Sequence, residues 1–160
     1  MNSSNLNIAT CKKGCCTLKT LYKENHGRDG VFHPFEKRKA GILVYCDNKV
    51  LLTQSYNNFW GIPKGQMEFT DVDTKACAVR ELKEETGLSV TLQDSDLYRI
   101  ILDNCYIYQY NASSMDVVDL NNLPNLDSTG IGWVDFECAF DFDINYLTKK
   151  LLMGTYVTIN

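Results

Sequence analysis

Gly65-Gln-Met-Glu-Phe-Thr-Asp71-Val-Asp73-Thr-Lys-Ala-Cys77-Ala-Val-Arg80-Glu81-Leu-Lys-Glu84-Glu85-Thr-Gly87-Leu88 is the most informative stretch of the chain. Its spacing predicts a helix over 71–86. Ala78, Val79 and Leu82 make an apolar stripe while charged residues take the other faces. Asp71 or Asp73 can accept from the free amides at the start, and Gly87 is placed to end the helix. On such a helix Glu81, Glu84 and Glu85 stand at i, i+3 and i+4, so three carboxylates project from one face. Like charges that close repel, and the arrangement is costly unless a cation compensates, or Arg80, which lies four residues before Glu84. Oxygen-only donors suit hard ions such as Mg2+ or Mn2+ rather than zinc, and Mg2+ commonly joins a few carboxylates to phosphate oxygens. A bare Glu-x-x-Glu-Glu also describes many solvated helix faces, so the flanking residues have to decide.

Before the quoted stretch, Gly41–Cys46 is apolar and β-rich, Asp47-Asn48 is a turn signal and Lys49–Gln54 follows, which reads as a hairpin. Phe59–Pro63 reads as extended, because Pro63 disfavours helix at Ile62. Further strands are expected at Ser89–Leu92, Tyr98–Leu102, Cys105–Tyr110 and Gly132–Phe136. A second helix is expected at Ile144–Leu152, with Tyr146, Leu147, Leu151 and Ile144 inward. Strands and helices mixed in this order favour an α/β layered domain.

The chain has 160 residues, 44% hydrophobic and 11% aromatic, which suits one domain and excludes a disordered tail or a fibrous repeat. No apolar run approaches the roughly 18 residues needed to cross a bilayer. The first thirty residues lack the apolar stretch of a signal peptide, so a cytoplasmic protein is expected. Seven cysteines form an odd set without regular spacing, which argues for reduced thiols rather than a disulfide framework. Cys11, Cys15 and Cys16 could take His26 or His33 to complete four zinc ligands, although the paired spacing of a zinc ribbon is missing. Charge is uneven: residues 1–39 carry a balance of +5 and residues 40–160 a balance of -9, within a net charge of -4. A basic arm on an acidic body is compatible with an anionic substrate approaching a metal-loaded acidic site. No repeat or linker divides the chain.

The quoted stretch resembles the signature of the Nudix hydrolases, in which a glycine, an acid, Arg-Glu-apolar-x-Glu-Glu and x-Gly-apolar recur in one loop-helix-loop. Gly65, Asp71, Arg80–Glu85 and Thr86-Gly87-Leu88 take those places. Two departures stand at the front: the acid is Asp71 rather than Glu, and one additional residue separates it from Arg80. That residue should lie in the loop before the helix, leaving helix phase intact. The resemblance covers most of Ala40–Phe136. It implies an α/β/α sandwich around a mixed β-sheet, with residues 1–38 as a basic N-terminal arm and 39–160 as the Nudix domain. It implies hydrolysis of a pyrophosphate in a nucleoside diphosphate-linked substrate by water. It further implies that Glu81, Glu84 and Glu85, with a carbonyl of Lys64 or Gly65, hold Mg2+ or Mn2+, that Arg80 orients a glutamate, and that Glu85 or Glu81 acts as base.

A second acid often comes from a downstream loop. Asp127, six residues before Trp133, matches the offset of a glutamate that serves as metal ligand or base in the decapping branch; Asp119 and Asp116 compete, and Asp127 could instead begin a turn before Gly130. Trp60-Gly-Ile-Pro-Lys64-Gly65 looks like the form in mRNA-decapping enzymes, including viral ones, which implies capped RNA as substrate and m7GDP as product. Diadenosine tetraphosphate hydrolases also carry Pro-Lys-Gly, and a catalytically silent nucleotide- or protein-binding module is the alternative of another class. Lys64 could hold a phosphate. Lys12, Lys13, Lys19, Lys23, Arg28, Lys37, Arg38 and Lys39 could contact RNA. Tyr56, Phe59 and Tyr110 could stack on a base or simply pack, and Trp60 and Trp133 read as structural.

Overall fold

The computed structural model describes residues 6–21, 36–56, 59–116 and 128–159. Nine strands, two helices and two single-turn 3-10 helices make up these residues: β1 Leu6–Thr10, β2 Thr17–Leu21, β3 Lys39–Cys46, β4 Lys49–Ser55, β5 Trp60–Gly61, β6 Lys64–Gln66, α1 Thr74–Thr86, β7 Leu97–Ile101, β8 Cys105–Asn111, β9 Ser128–Asp135 and α2 Tyr146–Ile159, with 3-10 turns at Asp94–Asp96 and Cys138–Asp141. The sheet runs β1-β2-β9-β4-β3-β8-β7, with β5 on β4 and β6 on β3. β3 and β8 are parallel and the other pairs antiparallel. The mixed α/β sheet is the expected one.

The apolar runs of β3 and β4 follow from burial on both faces. Ile42, Val44 and Leu51 enter the core under α1, with Cys77, Ala78 and Leu82 from the helix. Leu43, Val50 and Leu52, the alternate residues, enter a second core with Leu151 and Leu152 of α2. At about 1.5–3 kcal/mol for each fully buried large aliphatic side chain, these two layers fix the strand register. The β3–β4 hairpin turns at Asp47-Asn48 with Tyr45 opposite Val50, and Asp47 takes φ 53°. No helix among the described residues is long and apolar enough to cross a membrane.

Several elements differ from expectation. α1 begins at Thr74 because Asp73 caps it, accepting from the Ala76 amide at 2.8 Å. Ser89–Leu92 is no strand. Leu88, Val90 and Leu92 alternate inward onto the α1-side core, which mimics a strand pattern, but the segment has no sheet partner among the described residues. β9 starts at Ser128, four residues early. Its polar front pairs with β4 through Gln54 opposite Gly130 and Ser55 opposite Ser128, so the sheet there is set by backbone pairing rather than by apolar side chains. α2 starts at Tyr146, with Asn145 Oδ1 accepting from the Thr148 amide at 2.8 Å. Among its described side chains, Thr148, Leu151 and Leu152 are buried; Tyr146 is 68% exposed, and Ile144 is buried ahead of the helix, bridged to Trp60. Residues 6–21 form an antiparallel hairpin whose second strand pairs with β9 and buries Leu18 and Leu21.

Candidate active site

Strand β6 is short, yet it sets the site. Lys39 pairs with Gln66, Ala40 with Gly65 and Gly41 with Lys64, which lays Lys64 and Gly65 along α1. The Lys64 amide donates to Glu85 Oε2 at 3.1 Å. A Cβ at position 65 would fall 2.1 Å from the Glu81 carboxyl carbon, so a side chain there would displace that carboxylate from its place against β6. At the far end of α1, Gly87 takes φ 79° and its amide caps the Lys83 carbonyl at 2.9 Å, the left-handed ending that glycine supplies without strain.

Arg80 is the hub. Its Nε and Nη2 donate to the two oxygens of Asp71 at 2.9 and 2.8 Å, and Nη2 also reaches the Gln66 carbonyl at 3.0 Å. Nη1 donates to Glu81 Oε1 at 3.0 Å and to Glu84 Oε1 at 3.2 Å. Asp71, with only 4% of its side chain exposed, also accepts from the Glu68 amide at 2.9 Å. Shorter than Glu though it is, Asp71 therefore grips the loop to the helix through a bidentate pair, the strong form of this contact. Asp71, Val72 and Asp73 precede α1, and Arg80 shares the helix with the three glutamates, so its phase relative to them is fixed.

Electrostatics show what the cluster lacks. Burial pushes the Glu85 carboxyl well above the usual range, and the Glu81 charge pushes it further, while the charge and amide of Lys64 pull it back. Burial raises Glu81 to about 7 against the opposing pull of Arg80. One guanidinium, already committed to Asp71, does not neutralise three carboxylates. An all-oxygen donor set beside Gly65, in which Glu81 and Glu85 have raised proton affinity, fits a hard divalent cation; Glu81, Glu84 and Glu85 with a carbonyl of Lys64 or Gly65 would hold it.

A pH dependence follows. In the metal-free protein the raised pKa of Glu81 gives stability that is fully present below about 4.5 and lost as pH rises through about 7. The magnitude is about 3 kcal/mol at most. Asp71, held low by Arg80, titrates below this window and does not interfere. The melting temperature without metal should therefore fall between pH 5 and 8, and the increase caused by Mn2+ should be larger at pH 8 than at pH 5.5. Calorimetry showing equal Mn2+ shifts at both pH values would contradict this electrostatic picture.

The other sequence candidates are more dispersed. Asp127 and Asp119 lie outside the described residues, as do His26, His33, Lys23 and Arg28; Ser128, next to Asp127 in the chain, donates to the Glu85 carbonyl at 3.3 Å. Asp116 is exposed, bonded by Ser114 Oγ, and its carbonyl accepts from Trp133 Nε1 at 3.2 Å. Trp60 is buried in the core with α2. Tyr56 sits in a turn at φ 55°, half-buried; Phe59 is 56% exposed; Tyr110 packs against the α1-side core. Lys64 is half-buried, whereas Lys37, Arg38 and Lys39 are exposed, with Arg38 held by Glu36 through Nε and Nη2, each at 3.0 Å.

A family model described as the NUDIX domain matches residues 36–136. The chain belongs to the Nudix family. It is 59% identical over 146 residues to the 111R protein of Invertebrate iridescent virus 3, covering 90% of this chain and 86% of that one. Among solved structures, the Nudix domain of Shewanella oneidensis NrtR, complexed with ADP ribose, superposes with a TM-score of 0.60 at 14% identity, covering 81% of this chain and 94% of that one. A Nudix-family hydrolase from Clostridium perfringens gives 0.57 at 19% identity over 76% and 97%, and a C. elegans Ap4A hydrolase gives 0.53 at 18% over 76% and 98%. At these identities the structural likeness is one of fold. The Nudix match begins at residue 36, so the β1–β2 hairpin lies outside the matched residues.

Proposed function

We propose that this Nudix protein hydrolyses a pyrophosphate linkage in a nucleoside diphosphate-linked substrate, and that the substrate class is capped mRNA, cleaved to release m7GDP. The observation that carries the first part is the anchoring of the three glutamates beside β6: Glu81 lies against Gly65, Arg80 donates to Glu81 and Glu84, and the Lys64 amide donates to Glu85. When bound, Mg2+ or Mn2+ supplies neutralisation of phosphate charge and a lowered pKa for a coordinated water. The chain's own contributions are separable. Arg80 fixes the orientation of Glu81 and Glu84, and the Lys64 amide fixes Glu85. Glu85 or Glu81, whose proton affinities are raised, takes the proton from water as its oxygen bonds to phosphorus and the bridging P–O bond breaks. The Lys64 ammonium offers a phosphate a mobile positive charge. Asp127 is the downstream acid of this reading.

Support for capped RNA comes from Trp60-Gly-Ile-Pro-Lys64-Gly65 and from the exposed Lys37 and Lys39 at the start of β3, the end that carries Gly65. The test is a substrate panel with Mg2+ and Mn2+ in parallel. Release of m7GDP from capped RNA supports the proposal; ATP from diadenosine tetraphosphate, with capped RNA untouched, replaces the substrate class; no turnover of any pyrophosphate makes the protein a binding module. Because Arg38 is spent on Glu36, the useful charge reversal is Lys37→Glu with Lys39→Glu. Two lost phosphate contacts should raise KM for capped RNA by roughly tenfold or more and leave a free dinucleotide nearly unaffected, as read from steady-state kinetics at fixed salt. Equal effects on both substrates would remove these lysines from RNA binding.

A further inference from the structure

The fold assembles four cysteine thiols far from the glutamates. Cys11, Cys15 and Cys16 lie in the β1–β2 loop and Cys138 in the 3-10 turn after β9, and their Sγ atoms all fall within 4.8 Å of one another. Cys15 Sγ is 3.6 Å from Cys11, 3.5 Å from Cys16 and 3.6 Å from Cys138. Four thiolates around zinc at about 2.3 Å stand about 3.8 Å apart at the corners of a tetrahedron; the three separations from Cys15 lie close to that spacing and the others within 4.8 Å. The sulfurs are too far apart for a disulfide, which requires about 2.05 Å, and all seven cysteines are free.

From this geometry we infer that Cys11, Cys15, Cys16 and Cys138 form a structural zinc site. The loop is built for it. The Cys11 amide donates to the Cys16 carbonyl and the Gly14 amide to the Cys11 carbonyl, each at 3.0 Å, with Gly14 at φ 76°; this tight turn aims three sulfurs at one point. Outer donors address a thiolate: the Asp135 amide lies 3.4 Å and the Lys49 ammonium 3.5 Å from Cys16 Sγ. Such contacts orient metal-ligating sulfurs and offset their charge. The Asp135 carboxylate, 3.7 Å from Cys15 Sγ, is itself paired with Lys49 at 3.4 Å.

The ligand chemistry separates this site from the acidic one. Thiolates select zinc, whereas carboxylates and carbonyls select Mg2+ or Mn2+. The two stand at opposite ends of β3, since Gly65 pairs with Ala40 while Lys49 pairs with Cys46, a separation of roughly 20 Å along the strand. Four closed thiolate ligands leave no open position for substrate, so the zinc staples the hairpin to the turn after β9. Lys12, whose amide donates to Asp141 Oδ2 at 2.9 Å, and Lys13, paired with Glu137 at 2.6 Å, brace the same junction. The β2–β9 ladder registers only Lys19 with Ile131 and Thr20 with Gly130, and the staple anchors the hairpin beyond it.

The test is metal analysis of full-length protein purified without chelator. The expected result is about one zinc per chain, retained in Glu85→Gln and in Cys46→Ser, and lost in Cys138→Ser and in Cys15→Ser. Cys15 is exposed, so its replacement folds even if the buried Cys138 variant does not. Cobalt-exchanged protein should show thiolate charge-transfer bands and the intense visible bands of a tetrahedral ion. Wild-type protein with four alkylatable thiols and no tightly held metal would overturn the inference, as would iron in place of zinc, or zinc kept in Cys15→Ser and Cys138→Ser but lost in Glu85→Gln.

Discussion

Glu85→Gln is expected to lower metal-dependent pyrophosphate hydrolysis by about 10²–10⁴-fold and, above pH 7, to raise the melting temperature of the metal-free protein. The two changes have one cause. Glu85 is 8% exposed and its carboxyl resists ionisation, so ionising it in the metal-free protein costs stability that a neutral amide does not. The Lys64 amide still finds an acceptor in the Gln side chain, which keeps the backbone in place. Glu84→Gln should lose most activity as well, but without the gain in stability, because 42% of the Glu84 side chain is exposed and Arg80 already reaches it at 3.2 Å. Kinetics with saturating Mg2+ alongside calorimetry at pH 8 read both outcomes. Full activity in both variants would reject the carboxylate assignment.

The part of this site that was legible in the sequence is the part governed by helix periodicity. Arg80, Glu81, Glu84 and Glu85 lie within one and a half turns, so spacing alone places their side chains on adjoining faces. The continuous apolar runs of β3 and β4 were legible for a similar reason, since burial on both faces leaves no polar alternation. What escaped depended on distant partners. Asp71 and Asp73 were equivalent as caps from spacing; that Asp73 caps while Asp71 turns to Arg80 follows from the β6–α1 loop path. Ser89–Leu92 carried a strand's alternation, yet its apolar residues serve the α1-side core without a ladder. Cys138 stands 122 residues beyond Cys16, so no local spacing joins it to the thiols of the β1–β2 loop. Only the pairing of β2 with β9 brings it there.

Arg80→Lys is the substitution expected to cost most stability, about 1.5–3 kcal/mol, the range for losing hydrogen bonds to charged groups. Lysine keeps the charge and loses the fork: a single ammonium cannot meet both Asp71 oxygens and also the Gln66 carbonyl, Glu81 and Glu84. Asp71→Asn should cost less, since the amide oxygen still accepts from the Glu68 backbone and one guanidinium contact survives. Because the two residues share one set of bonds, the double variant should be less destabilised than the sum of the singles. Activity should separate from stability. With Glu81 and Glu84 no longer oriented, apparent Mn2+ affinity should fall by about 10–100-fold, so excess Mn2+ recovers part of kcat in Arg80→Lys but not in Glu85→Gln, where a donor itself is gone. Denaturant titrations and Mn2+ activation curves measure the two effects. Additive destabilisation together with wild-type Mn2+ activation would reduce Arg80 to an ordinary helix-surface cation, and the orientation of the glutamates would then have to come from β6 alone.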